Sequence, residues 1–128
     1  MGDLSASQED YLEAILRIQQ EKGTVHAKEI ADRLQVTRPS VTGALQMLDG
    51  EGMVHYAPYD VVTLSQKGIK VAEDVVRRHE ALREFFVRIL DVPADEATRA
   101  ACAMEHALSP DILKRLIGFL KQSRKEGA

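Results

Sequence analysis

The 128-residue sequence has no tryptophan, one cysteine and four prolines, and its aromatic residues amount to only 5%. A single cysteine excludes an intramolecular disulfide and points to a reducing compartment. No apolar run approaches the length of a membrane span. The opening MGDLSASQED is polar and acidic, which does not suit a secretory signal. Nor is there a strong excess of one charge, since 17 Lys and Arg stand against 20 Asp and Glu, a formal net of −3. Overall basicity therefore gives no signature of nucleic-acid binding, and any such contact has to come from a local arrangement of charge. Neither CxxC nor HExxH occurs, which removes the usual closed zinc sites and the helical zinc-protease motif. Repeats and low-complexity segments are also missing. These absences leave a charged, helix-rich chain expected in the cytoplasm, either one domain or two very small ones.

The pattern of what is present is mainly α. SASQEDYLEAILRIQQEKG reads as a helix with Ser7 as its N-cap, an apolar stripe of Tyr11, Leu12, Ile15, Leu16 and Ile18, and Gly23 as its stop. Residues 27–34 form a short helix with Ile30 and Leu34 facing inward. After the break at QVT, Thr37 caps a second helix with Pro39 in its first turn and Val41, Ala44, Leu45 and Leu48 on its core face. MVHYAPYDVVTLS alternates around a proline-containing tip and reads as a short hairpin. Ser65 then caps a long helix running through VRIL, despite Gly68 near its start. Pro93 breaks the chain before another helix. Ser109 and Pro110 start a last helix that frays in the basic tail KQSRKEGA. Helix, helix–turn–helix and hairpin in that order make a winged helix-turn-helix, residues 1–70, followed by an all-helical unit, residues 71–128.

In a helix-turn-helix the start of the second helix enters the major groove. Here that start is TRPSVTGAL. Thr37, Ser40 and Thr42 offer hydroxyls to phosphates or base edges, Arg38 suits guanine or phosphate, and Pro39 sets the entry of the helix. Gly43 has no side chain to read a base, so direct readout is thin. Lys28 and Lys67 are further phosphate candidates, while Asp60 puts an acid at the wing tip. One copy binds weakly, because phosphate neutralisation supplies most of the affinity. A dimer on a palindromic operator compensates. The second half supplies the apolar surface for one: Phe85, Phe86, Ile89, Leu113, Leu116, Ile117 and Leu120 exceed what one small helical layer buries, which predicts a C2 homodimer.

The segment ACAMEHALSP places the only cysteine, Cys102, at i with Glu105 and His106 at i+3 and i+4, one face of a helix. Asp10 and Glu13 are i, i+3 on the first helix, and His79 lies halfway along the long one. Thiol, carboxylates and imidazoles suit a divalent transition metal. Each residue also has an ordinary role: first-turn acids serve the helix dipole, and a helical cysteine packs as a small hydrophobe. A Cys102 nucleophile with His106 as base would need an oxyanion donor or a substrate-positioning loop, and neither is evident. The reading is therefore not of an enzyme, and no small-molecule substrate or membrane partner is expected.

Taken in order, EDYLEAI, VTRPSVTGALQMLDGEGMV, TLSQKG, RRHEAL and CAMEHALS make nearly the whole chain resemble the diphtheria-toxin-repressor family of metal-dependent transcriptional repressors. It looks closest to the short branch typified by manganese-transport regulators, which lacks the C-terminal SH3-like domain. The resemblance implies a winged helix-turn-helix joined to a helical metal-binding and dimerisation domain. It places a primary metal site on Asp10, Cys102, Glu105 and His106, and a neighbouring position on Glu13 and His79 with shared carboxylates. The chain is a hybrid in these terms: Cys102 matches iron-responsive members and Asp10 the manganese branch. Arg83 and Thr98 stand where the ancillary site of the iron-responsive proteins has ligands. The implied function is metal-dependent repression of metal-uptake genes, with Fe²⁺ favoured by the thiolate and Mn²⁺ by the carboxylates. Zn²⁺, Co²⁺ or Ni²⁺ would serve as substitutes in vitro. The implied switch is a clamp, in which the metal ties the first helix to the second unit. The alternatives are a manganese-responsive repressor and a winged-helix regulator that senses redox state through Cys102.

Overall fold

The computed structural model describes residues 4–57, 59 and 61–126. Pro58 and Asp60, expected at the wing tip, lie outside the described residues, as do the last two residues of the tail. The chain divides into two compact units, residues 1–74 and 75–128, and the mainly α expectation holds in both.

The first unit opens with α1 (Ala6–Lys22). Its N-cap is Ser5, not Ser7. The Ser5 hydroxyl accepts from the Gln8 N–H at 3.1 Å, and the Gln8 side chain accepts from the Ser5 N–H at 2.9 Å. This reciprocal capping box satisfies two otherwise orphaned donors, an arrangement that Ser7 does not make. Tyr11, Leu12, Ile15, Leu16 and Ile18 are all buried, and burial raises the pKa of the Tyr11 phenol. Gly23 closes the helix at φ +87°, a left-handed conformation that suits glycine.

A two-residue strand, β1 (Val25–His26), leads into α2 (Ala27–Leu34) and then α3 (Arg38–Gly50). The turn between the helices passes through Gln35 in the left-handed region at φ 56°. Thr37 Oγ1 caps α3 by accepting from the Ser40 N–H at 3.2 Å. Val41, Leu45 and Leu48 are buried, while Ala44 and Leu34 are half-buried. The wing is β2 (Val54–Tyr56) and β3 (Val61–Leu64), antiparallel with Val54 opposite Leu64 and Tyr56 opposite Val62. β1, which the sequence reading lacked, adds to the far edge of β3 with Val25 opposite Val62.

Ser65 caps α4 (Gln66–Glu84) as expected, accepting from the Gly68 N–H at 3.0 Å. Its hydroxyl also donates to the Gly52 carbonyl at 2.6 Å. Gly68 proves necessary here. A Cβ at that position would stand 2.0 Å from the Met53 carbonyl oxygen, so a side chain would drive the helix off the base of the wing.

α4 begins in the first unit and ends in the second. Its last stretch does not stay α-helical but widens into a π-helical turn, Phe85–Ile89. α5 (Ala94–Met104) follows Pro93 and passes directly into a 3₁₀ turn, Glu105–Ala107. α6 (Pro110–Glu126) starts with the Ser109 hydroxyl accepting from the Ile112 N–H at 3.1 Å, and it stays helical through the basic segment expected to fray. The core of this unit is Ala81, Leu113 and Leu120, flanked by Phe85, Ile89, Leu108, Leu116 and Ile117. Among the described residues, no helix is long and apolar enough to cross a membrane.

Candidate metal centre and nucleic-acid interface

Adjacent residues of α4, Arg78 and His79, are both buried. Across from them, α5 carries Cys102 and the 3₁₀ turn carries Glu105 and His106. The α-helical spacing expected for these three therefore breaks at Glu105, where the helix tightens. The ligand atoms of His79, Cys102 and Glu105 lie within 4.8 Å of one another. His79 Nδ1 stands 2.8 Å from Glu105 Oε1 and 3.7 Å from Cys102 Sγ. His106 meets the other carboxylate oxygen, with Nε2 3.9 Å from Glu105 Oε2. Glu105 thus lies between two imidazoles, fully buried, while Cys102 is exposed.

Metal–ligand bonds of about 2.0–2.3 Å place two donors of one ion within about 4.4 Å of each other. The 2.8 and 3.7 Å separations fall inside that limit, and a borderline set of imidazole, thiolate and carboxylate suits Fe²⁺ through Zn²⁺. The residues present fit a divalent transition metal.

Asp10 and Glu13, the other two expected ligands, belong to α1 of the first unit. Glu13 Oε2 accepts from Arg17 Nε at 3.1 Å. At the expected ancillary positions, Arg83 Nε donates to Thr98 Oγ1 at 2.8 Å, and that hydroxyl donates to the Ala94 carbonyl at 2.9 Å. The two side chains are thus bonded to each other.

Sequence reasoning missed Arg78. Its Nη1 donates to the Glu105 carbonyl at 3.0 Å, so Arg78 and His79 hold the backbone and the side chain of the same glutamate. A buried arginine 27 positions from its acceptor leaves no local signal in the sequence.

On α3, Arg38, Pro39, Ser40 and Gly43 are exposed and Thr42 is half-buried. Thr37 Oγ1 donates to Ser40 Oγ at 2.9 Å, so this hydroxyl pair is engaged internally. Lys28 on α2 is exposed, whereas Lys67 Nζ donates to the Glu51 carbonyl at 3.3 Å. Tyr59, which the sequence reading passed over, is 95% exposed at the wing tip.

In the second unit, Leu113 and Leu120 are used in the unit's own core, and Phe85, Phe86, Ile89, Leu116 and Ile117 are half-buried. Leu90, Met104, Ile112 and Phe119 are the large apolar residues of this unit that are exposed. Phe119 makes an edge-to-face contact with Phe85, centroids 6.1 Å apart.

Two family models match the chain in succession. The N-terminal DNA-binding domain of iron-dependent repressors covers residues 3–62, and their metal-binding and dimerisation domain covers residues 65–126. An uncharacterised HTH-type transcriptional regulator of Methanocaldococcus jannaschii is 37% identical over 93% of this chain and 96% of its own length. The HTH-type transcriptional regulator MntR of Geobacillus kaustophilus is 37% identical over 94% of this chain and 84% of its own length. A manganese-dependent transcriptional repressor solved in complex with manganese superposes with a TM-score of 0.82 at 30% identity, covering 89% of this chain and 52% of that one. The chain therefore spans about half the length of that solved repressor. With both domain models matched in order and relatives sharing more than a third of their residues, this chain belongs to the iron-dependent repressor family of metal-dependent transcriptional regulators.

Proposed function

We propose that the protein represses metal-uptake genes in the cytoplasm, binding palindromic operator DNA as a homodimer when a divalent metal is bound, with Fe²⁺ as the favoured ion. DNA binding is assigned to the first unit, through Lys28 and the α3 segment Thr37–Gly43. Metal binding and dimerisation are assigned to the second. The observation that carries the reading is the convergence of the His79, Cys102 and Glu105 ligand atoms inside the matched metal-binding domain.

His106 is proposed as a ligand through its place beside Glu105. Asp10 and Glu13 are proposed on the strength of the family resemblance. When bound, the cation would supply positive charge to these carboxylates. Their mutual repulsion would otherwise favour a state that does not bind DNA, and a tenfold preference for the competent state is worth about 1.4 kcal/mol.

The thiol argues for Fe²⁺, because a thiolate ligand is softer than the oxygen donors that suit Mn²⁺. Manganese is the second reading, favoured by Asp10 and by the manganese-bound repressor to which this chain is similar. Anaerobic competition among Fe²⁺, Mn²⁺ and Zn²⁺, for the native chain and Cys102→Ala, decides between them. Loss of the Fe²⁺ preference in the alanine variant supports the iron sensor. Equal Mn²⁺ binding with and without the thiol supports manganese. Asp10→Ala tests the switch, since metal-stimulated DNA binding that persists in this variant would refute the role given to α1.

A further inference from the structure

We infer that Arg78 is a positioning residue of the metal centre, setting the place of Glu105 by gripping its main chain. The inference rests on the metal-binding reading of His79, Cys102 and Glu105. Glu105 sits at the junction where α5 gives way to the 3₁₀ turn. Its N–H donates to the Ala101 carbonyl, the last α-type bond of the helix. Its own carbonyl accepts from the Leu108 N–H at 3.2 Å, closing the 3₁₀ turn, and from Arg78 Nη1 at 3.0 Å.

Carbonyls at a helix end lack intrahelical partners, and a buried one needs another donor. Arg78 supplies it with a charge-assisted bond, stronger than a neutral one and directional because the guanidinium is planar. The side chain is 6% exposed, so water does not compete for that contact.

The consequence for the metal centre follows from adjacency. Arg78 and His79 are consecutive on α4, and Glu105 is held by both, at the carbonyl by one and at Oε1 by the other. The spacing between the imidazole and the carboxylate is therefore fixed from a single helical turn. Two side chains at distant places in the sequence would otherwise have to find that geometry on binding, at an entropic cost. Groups that orient ligands in this way typically contribute about 10–100-fold to metal affinity. The same grip sets where the next residue, His106, leaves the turn.

The test is an anaerobic Co²⁺ titration of the full chain, following the thiolate-to-cobalt charge-transfer absorbance, with thermal melting of the metal-free protein alongside. Arg78→Met keeps the aliphatic bulk and removes the donors. It should bind Co²⁺ about 10–100-fold more weakly, while Arg78→Lys, which keeps a charged donor, should regain most of the loss. Leu120→Ala, a core change elsewhere in the same unit, controls for general destabilisation and should leave Co²⁺ affinity nearly native. Should Arg78→Met fail to fold, Arg78→Gln decides: intermediate affinity supports the inference and native affinity overturns it. Native Co²⁺ affinity in Arg78→Met also overturns it, as does an equal loss in Leu120→Ala. A native chain that binds no Co²⁺ overturns the metal-binding reading and takes this inference with it. Binding that Arg78→Met leaves unchanged overturns this inference alone.

Discussion

His79 Nδ1 and Glu105 Oε1 approach to 2.8 Å across 26 positions of sequence, and the glutamate is fully buried. A buried carboxylate is costly unless paired, and its partners here are groups that also bind metals. Glu105→Gln keeps the shape and one acceptor but removes the anionic ligand. It should fold and lose high-affinity Mn²⁺ and Fe²⁺ binding by at least about tenfold, since outer-shell changes alone reach that size. Calorimetric titration reads this directly. Native affinity in Glu105→Gln would remove Glu105 from the ligand set.

Much of the fold was legible because its signals are local. Thr37 with Pro39, Ser65, Ser109 with Pro110, and Gly23 each mark a helix end by their own chemistry, and the structure keeps all of them. Ser5 was legible too, through Gln8 three residues on, but Ser7 stands ahead of the acidic residues and draws the assignment. What could not be read depends on distant partners. β1 is two residues long and exists only because β3 offers an open edge. The 3₁₀ turn at Glu105 has no glycine or proline to announce it, since the Arg78 guanidinium and the Leu108 N–H share the Glu105 carbonyl. The candidate ligands themselves were visible as residue types, whereas the grouping of His79 with Cys102 needed α4 beside α5.

Gly68→Ala tests the junction between wing and helix. The added Cβ would meet the Met53 carbonyl oxygen at 2.0 Å, a backbone atom that cannot simply rotate away. Overpacking of this kind costs about 1–3 kcal/mol. Here it also threatens the Ser65 bonds to Gly52 and Met53 that anchor the start of α4. Chemical denaturation should show the loss, even though alanine is the better helix former. A neutral or stabilising result would mean that α4 can shift away from the wing without penalty.

Glu84 accepts from Arg124 and from Arg88, the latter at 3.0 Å, and these contacts, Arg124 first, lower its pKa below the ordinary glutamate range. A carboxyl whose folded pKa is depressed binds protons more readily when unfolded. Its stabilising contribution is full above about pH 4.3, the ordinary glutamate value, and is lost as the pH falls from there through the folded value. Glu84→Gln should therefore be less stable than the native chain at neutral pH, with the difference shrinking on acidification. The side chain is partly exposed, so the effect should also weaken in high salt. Parallel melting curves of the two proteins across this range would contradict the pairing.

Gly43 separates stability from DNA contact. It lies inside α3 on the exposed side, and a Cβ there would meet nothing within 4 Å. Glycine in a helix interior costs about 1 kcal/mol relative to alanine, so Gly43→Ala should raise the melting temperature. Among the described residues no atom crowds that position, and the proposed role of α3 turns that surface toward DNA. Gly43→Glu adds an anion to the same spot with no internal clash. It should fold at least as well as the native chain yet bind a mixed-sequence duplex more weakly at low salt, because one more negative charge faces the phosphates. Fluorescence anisotropy in the presence of Mn²⁺ reads that loss. If Gly43→Glu bound DNA as tightly as the native chain, the exposed side of α3 would not be the surface that meets the duplex, and the assignment of Arg38, Ser40 and Thr42 would fall with it.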